Sequence, residues 1–248
     1  MKYYISGFED PNLIDTVLKT IPRLNYILFT FYKLQNDERM YNDYRKIQDN
    51  CKNILIDSGA FTLQRNAHSD YDQYVKDYCR FIEQNDNPKI TGYFEMDIDN
   101  IIGYDRVLEY RDQLEEVSNK IIPVWHSNRG IKDFKKLCRD YKYISVTLKS
   151  SDIKRDQVKM FVDYAHRHNT RIHGLGVSAK SICDHVPFDS VDSTNYLNGA
   201  KYARHKNERL DSDYVRGNYD KIRLLHFIQE HKLGEYYYDK WKHYCKWE

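Results

Sequence analysis

The chain of 248 residues is poor in several things that would place it in a special class. It has five cysteines, at positions 51, 79, 138, 183 and 245, none closer than 28 residues to another. An odd and dispersed set argues against a disulfide framework and against a compact cysteine zinc site, and reads as thiols kept reduced. With only 10 Gly and 5 Pro it has no fibrous period and no flexible linker. No apolar run approaches the ~18 to 20 residues that a membrane helix needs, and the longest, such as 26–32 and 121–125, are strand-sized. The opening Met1-Lys2-Tyr3-Tyr4-Ile5-Ser6-Gly7 leads directly into such a stretch and does not read as a signal peptide. At 41% hydrophobic and 15% aromatic, the composition is too apolar for a disordered chain. The expectation is a soluble cytoplasmic protein (host cytoplasm if the source is viral) with no membrane partner.

Net charge is only +2, but its distribution is uneven. Residues 1–120 hold 15 Lys and Arg against 21 Asp and Glu, whereas residues 121–171 hold 12 against 5. A basic segment of that kind, which includes Lys135 and Lys136, can attract a polyanion through counterion release, or it can be an ordinary solvated helix face.

What is present is an alternation. Short β-rich runs recur at 3–6, 26–31, 54–61, 92–98, 121–126, 143–148, 171–175 and 190–194. Between them lie longer segments with helical spacing, as in Tyr71, Tyr74, Val75, Tyr78, Phe81 and Ile82. Ser69 and Asp152 stand where N-caps would precede two of these helices. Eight strand-sized runs joined by helices predict a parallel sheet with crossover helices, and both the count and the chain length fit a closed (β/α)8 barrel. An open doubly wound sheet would show a glycine-rich turn after the first strand, which Ser6-Gly7-Phe8-Glu9-Asp10 does not provide. Residues 1–210 are read as the barrel, and 211–248 as a C-terminal helical extension that closes or flanks it.

In such a barrel the active site forms at the C-terminal ends of the strands, so the polar residues there become the candidates. They are Asp57-Ser58-Gly59-Ala60-Phe61 after the third strand and Asp97 after the fourth. His126 follows the fifth, Gly174-Leu175-Gly176 the seventh, and Asp192 lies in the eighth. Asp57 can cap a helix, yet small residues follow it, as if backbone must approach something. Asp97 and Asp99 alternate, so only one is expected to face the mouth, preferably Asp97. Asp192 sits among Ser190, Ser193, Thr194 and Asn195, a cluster hard to explain as core. His166 and His168 read as helix-end residues. Carboxylates without metal-ligand spacing suit nucleophilic or acid/base chemistry at an anomeric carbon, which also wants an apolar wall such as Phe61.

These motifs together resemble the tRNA-guanine transglycosylase superfamily, (β/α)8 barrels that exchange guanine for a 7-deazaguanine base. Asp57-Ser58-Gly59-Ala60-Phe61 resembles that family's Asp-Ser-Gly-Gly-Phe/Tyr motif, and Met96-Asp97 its base-reading aspartate. Gly174-Leu175-Gly176 resembles its Gly-Leu-Ala/Gly loop, and Val191-Asp192-Ser193 its nucleophile motif. The likeness spans residues 54–196 in order. The zinc site that the tRNA-modifying members carry after the eighth strand has no counterpart, since Cys245 is the only cysteine after Cys183. The pattern looks more like the phage and bacterial branch that acts on DNA. The resemblance therefore implies Asp192 as nucleophile and Asp57 as general acid/base. It implies base contacts from Asp97, Phe61, Gly174 and Leu175, with Ser58, Gly59 and His126 in the same pocket. His126 stands where the bacterial tRNA enzymes carry Gln. Phe188-Asp189-Ser190 also matches the nucleophile motif, which makes Asp189 a rival of Asp192.

On this reading the partners are DNA and a free 7-deazaguanine base, with no cofactor and no metal. Three alternatives stay open at this point. One is a related enzyme acting on RNA. Another is a metal-dependent hydrolase with Asp57, Asp97, His126, His173 and Asp192 as ligands. The third is a nucleic-acid-binding barrel without chemistry.

Overall fold

The computed structural model describes residues 1–8, 11–63, 70–148, 155–201, 204–205, 208–209 and 217–247. Its strands are β1 (Lys2–Ser6), β2 (Leu24–Thr30), β3 (Cys51–Asp57), β4 (Ile90–Phe94), β5 (Ile121–Ile122), β6 (Val124–Trp125), β7 (Tyr143–Thr147), β8 (Arg171–Leu175) and β9 (Ser190–Ser193). All pair in parallel, in the order β5-β4-β3-β2-β1-β9-β8-β7-β6. β5 and β6 are two halves of one strand path on either side of Pro123. One half pairs with β4 and the other with β7, so the order runs round a closed (β/α)8-type barrel. Proline has no N–H for the ladder. The interruption is bridged on one side by the Pro123 carbonyl, which accepts from Ser145 N at 2.8 Å. On the other side Glu95 Oε1 accepts from Val124 N at 2.6 Å.

Helices fill the crossovers: α1 (Pro11–Thr20), α2 (Phe31–Leu34), α3 (Glu38–Asn50), α4 (Ala60–Leu63), α5 (Tyr71–Asn85), α6 (Asp99–Ile102), α7 (Tyr104–Val117), α8 (Gly130–Asp140), α9 (Arg155–Arg167), α10 (Lys180–Cys183), α11 (Tyr196–Lys201) and α12 (Tyr219–Trp241). A two-stranded hairpin, Arg204–His205 with Glu208–Arg209, precedes α12. In α5 the 3–4 spacing of the sequence becomes a buried stripe of Tyr74, Val75, Tyr78, Phe81 and Ile82. Its cap is Asp70, whose side chain accepts from Gln73 N, and Asp37 does the same for Met40 N at α3. The expected caps Ser69 and Asp152 lie outside the described residues. No described helix is long and apolar enough to cross a membrane.

Alternation along the strands divides the core in two. Tyr4, Tyr26, Leu28, Leu55, Phe94, Ile122, Val124 and Tyr143 fill the barrel interior. Their neighbours, such as Tyr3, Ile5, Ile27, Ile54, Ile56 and Val191, pack outward against the helices. Tyrosine suits both layers because its ring packs while its hydroxyl reaches a partner. Tyr78, for example, reaches the Ile56 and Phe94 carbonyls at 3.3 and 3.2 Å. The α12 helix lies along β1, where Gly234 brings its backbone against Tyr3 and Phe227 stacks on Phe8 at 4.6 Å. Beyond it Trp247 stacks on Tyr238 at 4.5 Å and donates to the Asp189 carbonyl. The aromatic stretch 236–247 thus packs against the barrel, at the end where the strands begin.

Candidate site at the barrel mouth

The same alternation aims Ser6, Asp57, His126, Leu175 and Asp192 inward at or near the ends of their strands, around one rim. Asp192 is held from three sides. Its Oδ2 accepts from Ser6 Oγ at 3.2 Å, and its Oδ1 accepts from Gly176 N at 2.5 Å and lies 3.2 Å from His173 Nε2. Gly176 has φ +66°, a conformation that glycine adopts without strain, and it follows β8 directly. His173 is fully buried in the barrel, its ring 5.0 Å from Phe94 and 6.3 Å from Tyr4. Its Nδ1 lies 2.7 Å from Ser190 Oγ, which in turn bonds Tyr143 OH. Burial pushes the Tyr143 phenol well above its ordinary range, so it remains a donor.

Asp189 is elsewhere. It precedes β9, at the opposite end of the barrel from the rim. There its carboxylate accepts from Ile172 N at 2.7 Å and from Lys246 N, and meets His166 Nε2 at 2.9 Å. It ties α9 and the C-terminal residues to the barrel, so of the two candidate nucleophiles Asp192 alone faces the mouth. His166, read from sequence as a helix-end residue, is its partner.

Asp57 ends β3, and its carboxylate accepts from Gly59 N at 3.2 Å. Gly59 has φ +79°, and a Cβ there would lie 2.4 Å from Tyr32 Cβ and 2.9 Å from Thr30 Cγ2. What its backbone approaches is therefore the end of β2. Ser58 is fully buried, donating its hydroxyl to the Glu95 carbonyl at 2.8 Å while its own carbonyl accepts from Tyr74 OH. Phe61 lies in α4, but its side chain is outside the described set. Gly174 is in β8, where a Cβ would press on Val177 at 3.0 Å, and Leu175 packs on the interior cluster.

Asp97 bonds His126 Nε2 directly, and each is about one-fifth exposed at the rim. Alternation predicted that Asp99 would point away from Asp97, and it does not. The strand ends at Phe94 and Asp99 opens α6, so period two no longer applies. Asp97, Asp99 and His126 offer ligand atoms all within 4.8 Å of one another, which makes them the described residues most able to hold a cation. The five-residue ligand set expected for a hydrolase is not what assembles, since His173 is engaged with Asp192 and Ser190. Arg129 already stands at the acidic trio. Its Nε bonds Asp99 Oδ2 at 3.0 Å, its Nη2 lies 3.9 Å from Asp97 Oδ1, its Nη1 lies 3.6 Å from Glu95 Oε1, and its plane rests 4.1 Å over Tyr104. A divalent ion at these carboxylates would have to face that buried guanidinium. The arrangement suits a charge-balanced hydrogen-bonding wall better than a metal centre.

Behind the wall Glu95 is fully buried and bonds Arg111 Nε at 2.5 Å. Desolvation raises its pKa, while Arg111 and Arg129 oppose the rise. Sequence reading assigned no role to Ser6, Arg129 or Tyr143, placed Ser190 only in the polar cluster around Asp192, and offered His173 as a strand-end residue and a possible metal ligand. Inward-facing Ser190, Asp192 and His173 in otherwise apolar strands were the available signal.

No family model and no curated protein matches the sequence. Solved structures do match in shape. A protein described as a fructose-1,6-biphosphate aldolase from Coccidioides immitis superposes with a TM-score of 0.58 at 9% identity, over 94% of this chain and 88% of that one. The carboxyl transferase domain of pyruvate carboxylase from Rhizobium etli gives 0.53 at 14% identity, over 96% of this chain and 48% of that one. This chain thus spans about half the length of the latter. At these identities the likeness is one of fold.

Proposed function

We propose that this barrel is an enzyme that replaces guanine in DNA with a 7-deazaguanine base through a covalent aspartyl-sugar intermediate. Support comes chiefly from Asp192, a nearly buried carboxylate at a strand end, braced by three donors and facing the same rim as Asp57 and the Asp97–His126 pair. Such bracing holds a carboxylate in one orientation, as an attacking group must be held. In the proposed step a carboxylate oxygen of Asp192 bonds to C1′. The C1′–N9 bond breaks toward guanine, and Asp57 supplies the proton that the departing base takes up. The incoming base gives a proton back to Asp57 and attacks C1′ through its N9, and the Asp192–C1′ bond breaks as the carboxylate leaves with the bonding pair. Asp97 accepts from the purine N1–H and exocyclic amine, with His126 orienting it. The target nucleotide has to leave the stack for its C1′ to reach Asp192. The order of motifs along residues 54–196 favours this reading over other chemistries on the same fold.

The test is exchange of radiolabelled guanine into DNA and tRNA offered in parallel. Label should enter DNA and not tRNA. Asp192→Asn should lower exchange by at least about 10³-fold with the thermal transition retained, and Asp57→Asn by about 10²–10⁴-fold. Labelling of tRNA, or exchange by Asp192→Asn near the wild-type rate, overturns the proposal.

A further inference from the structure

We propose that His173 is a positioning residue that makes Asp192 Oδ2 the attacking oxygen; this rests on the glycosyl-transfer reading above. The two carboxylate oxygens are held unequally. Oδ1 takes two contacts, the Gly176 amide at 2.5 Å and His173 Nε2 at 3.2 Å, whereas among the described residues Oδ2 has only the Ser6 hydroxyl at 3.2 Å. Each donated hydrogen bond withdraws electron density from its acceptor, so the less engaged oxygen is the better nucleophile. Pinning Oδ1 also fixes the rotation of the carboxylate, so that Oδ2 stays aimed while the sugar arrives.

The direction of the His173 bond is set one layer deeper. Tyr143 OH, Ser190 Oγ, His173 and Asp192 form a continuous chain of contacts. In the proposed arrangement Tyr143 OH donates to Ser190 Oγ, Ser190 donates to His173 Nδ1, and the ring carries its hydrogen on Nε2, facing Asp192. Tyr143, Ser190, His173 and Asp192 come from three adjacent strands, β7, β8 and β9, and all face inward. The chain of bonds climbs from the packed interior to the rim. The ring packs against Phe94 and Tyr4, which holds it in place beneath Asp192. In the transfer step the Oδ2 lone pair forms the bond to C1′ and the base departs with the bonding pair. His173 keeps its proton throughout.

Two conservative variants separate this role from space-filling. His173→Gln keeps a donor near the Nε2 position, and His173→Asn keeps only the Nδ1 side. Exchange by the Gln variant should stay within about tenfold of wild type. The Asn variant should lose about 10²-fold in kcat with KM little changed, as expected for a misaimed reacting group. A ¹⁵N-histidine NMR spectrum of the whole protein, with His173 assigned by its absence from His173→Gln, should show hydrogen on Nε2 and none on Nδ1. Replacing Ser190 with Ala should weaken that preference and lower kcat without moving KM. Equal rates in the Asn and Gln variants, or hydrogen on Nδ1 in the wild type, overturn the inference. A wild-type protein inert toward labelled guanine overturns the proposed function instead, and the NMR result still decides whether His173 pins Asp192.

Discussion

Two aspartates three residues apart illustrate how much side-chain identity leaves open. Asp189 and Asp192 sit in similar sequence surroundings, yet one braces the barrel's closed end and the other opens on its mouth. A four-residue strand rising ~3.3 Å per residue carries the chain from one end of the barrel toward the other. At the same scale Glu95 is a structural charge beside the site. Its side chain mends the gap that Pro123 leaves in the ladder, and its ionised form depends on Arg111. Replacing Arg111 with Leu strands that carboxylate in the core and should cost about 3–5 kcal/mol in urea unfolding at neutral pH. The pH dependence tests the cause. Because burial raises the folded pKa above the ordinary 4.5, the folded state holds this proton more tightly, so stability falls as pH rises from 4.5 through the folded value. Without Arg111 the rise is larger and the fall steeper, so the variant and wild type should converge toward acid pH.

At the scale of elements, the rim depends on how β3 hands over to α4. The strand run that the sequence suggested to residue 61 stops at Asp57, and Gly59 turns the chain in a left-handed conformation against the end of β2. This contact fixes where Asp57 leaves the sheet. Gly59→Ala meets both the positive φ and a Cβ contact of 2.4 Å, and should lose at least about 2 kcal/mol in urea unfolding together with activity. Gly103, at φ +81° and ψ 158° with nothing within 4 Å of a Cβ, is the control for backbone strain without a clash, and Gly103→Ala should lose less than Gly59→Ala. Equal losses at the two positions would show that the approach to Tyr32 does not matter. The helix α12 makes the complementary point. Its packing depends on Gly234 against Tyr3 and on a row of aromatic contacts rather than on a simple apolar stripe.

For the whole molecule the question is where a polyanion would lie. The basic surplus of residues 121–171 becomes largely the outer faces of α8 and α9. Lys135 and Lys136 are exposed there, with Lys135 Nζ 5.6 Å from the Tyr164 ring. The sequence left these lysines open as phosphate contacts or as a solvated helix face, and an outer wall does not face the rim where, on the proposed function, a flipped nucleotide would enter. DNA affinity should fall with salt, and reversing both charges to Glu should leave the slope of log K against log salt unchanged. A loss of about 0.9 per lysine would place them on phosphates after all.

The sequence alone determined the alternation of strands and helices, and with it the barrel, because hydrophobic period and element length are local properties. It also marked Asp57, Asp97, His126, Gly174 and Asp192, since polar residues at the ends of apolar strands stand out in one dimension. It set the start of α5 at Tyr71 and placed β8 at its observed bounds, while α5 runs three residues past Ile82. Tertiary structure decided the rest. Whether Asp97 and Asp99 diverge or converge depended on where β4 stops, which is at Phe94, so that Asp99 already opens α6. Whether Gly59 serves a ligand or its neighbours in the fold depended on Tyr32, in the helix after β2, lying within 2.4 Å of its absent Cβ and Thr30, at the end of β2, within 2.9 Å. The bracing of Asp192 draws on Ser6 from the first strand, 186 residues away, and on His173 and Gly176 from the strand beside it. Contacts of that sequence separation are made only when the barrel closes, so no local pattern could announce them.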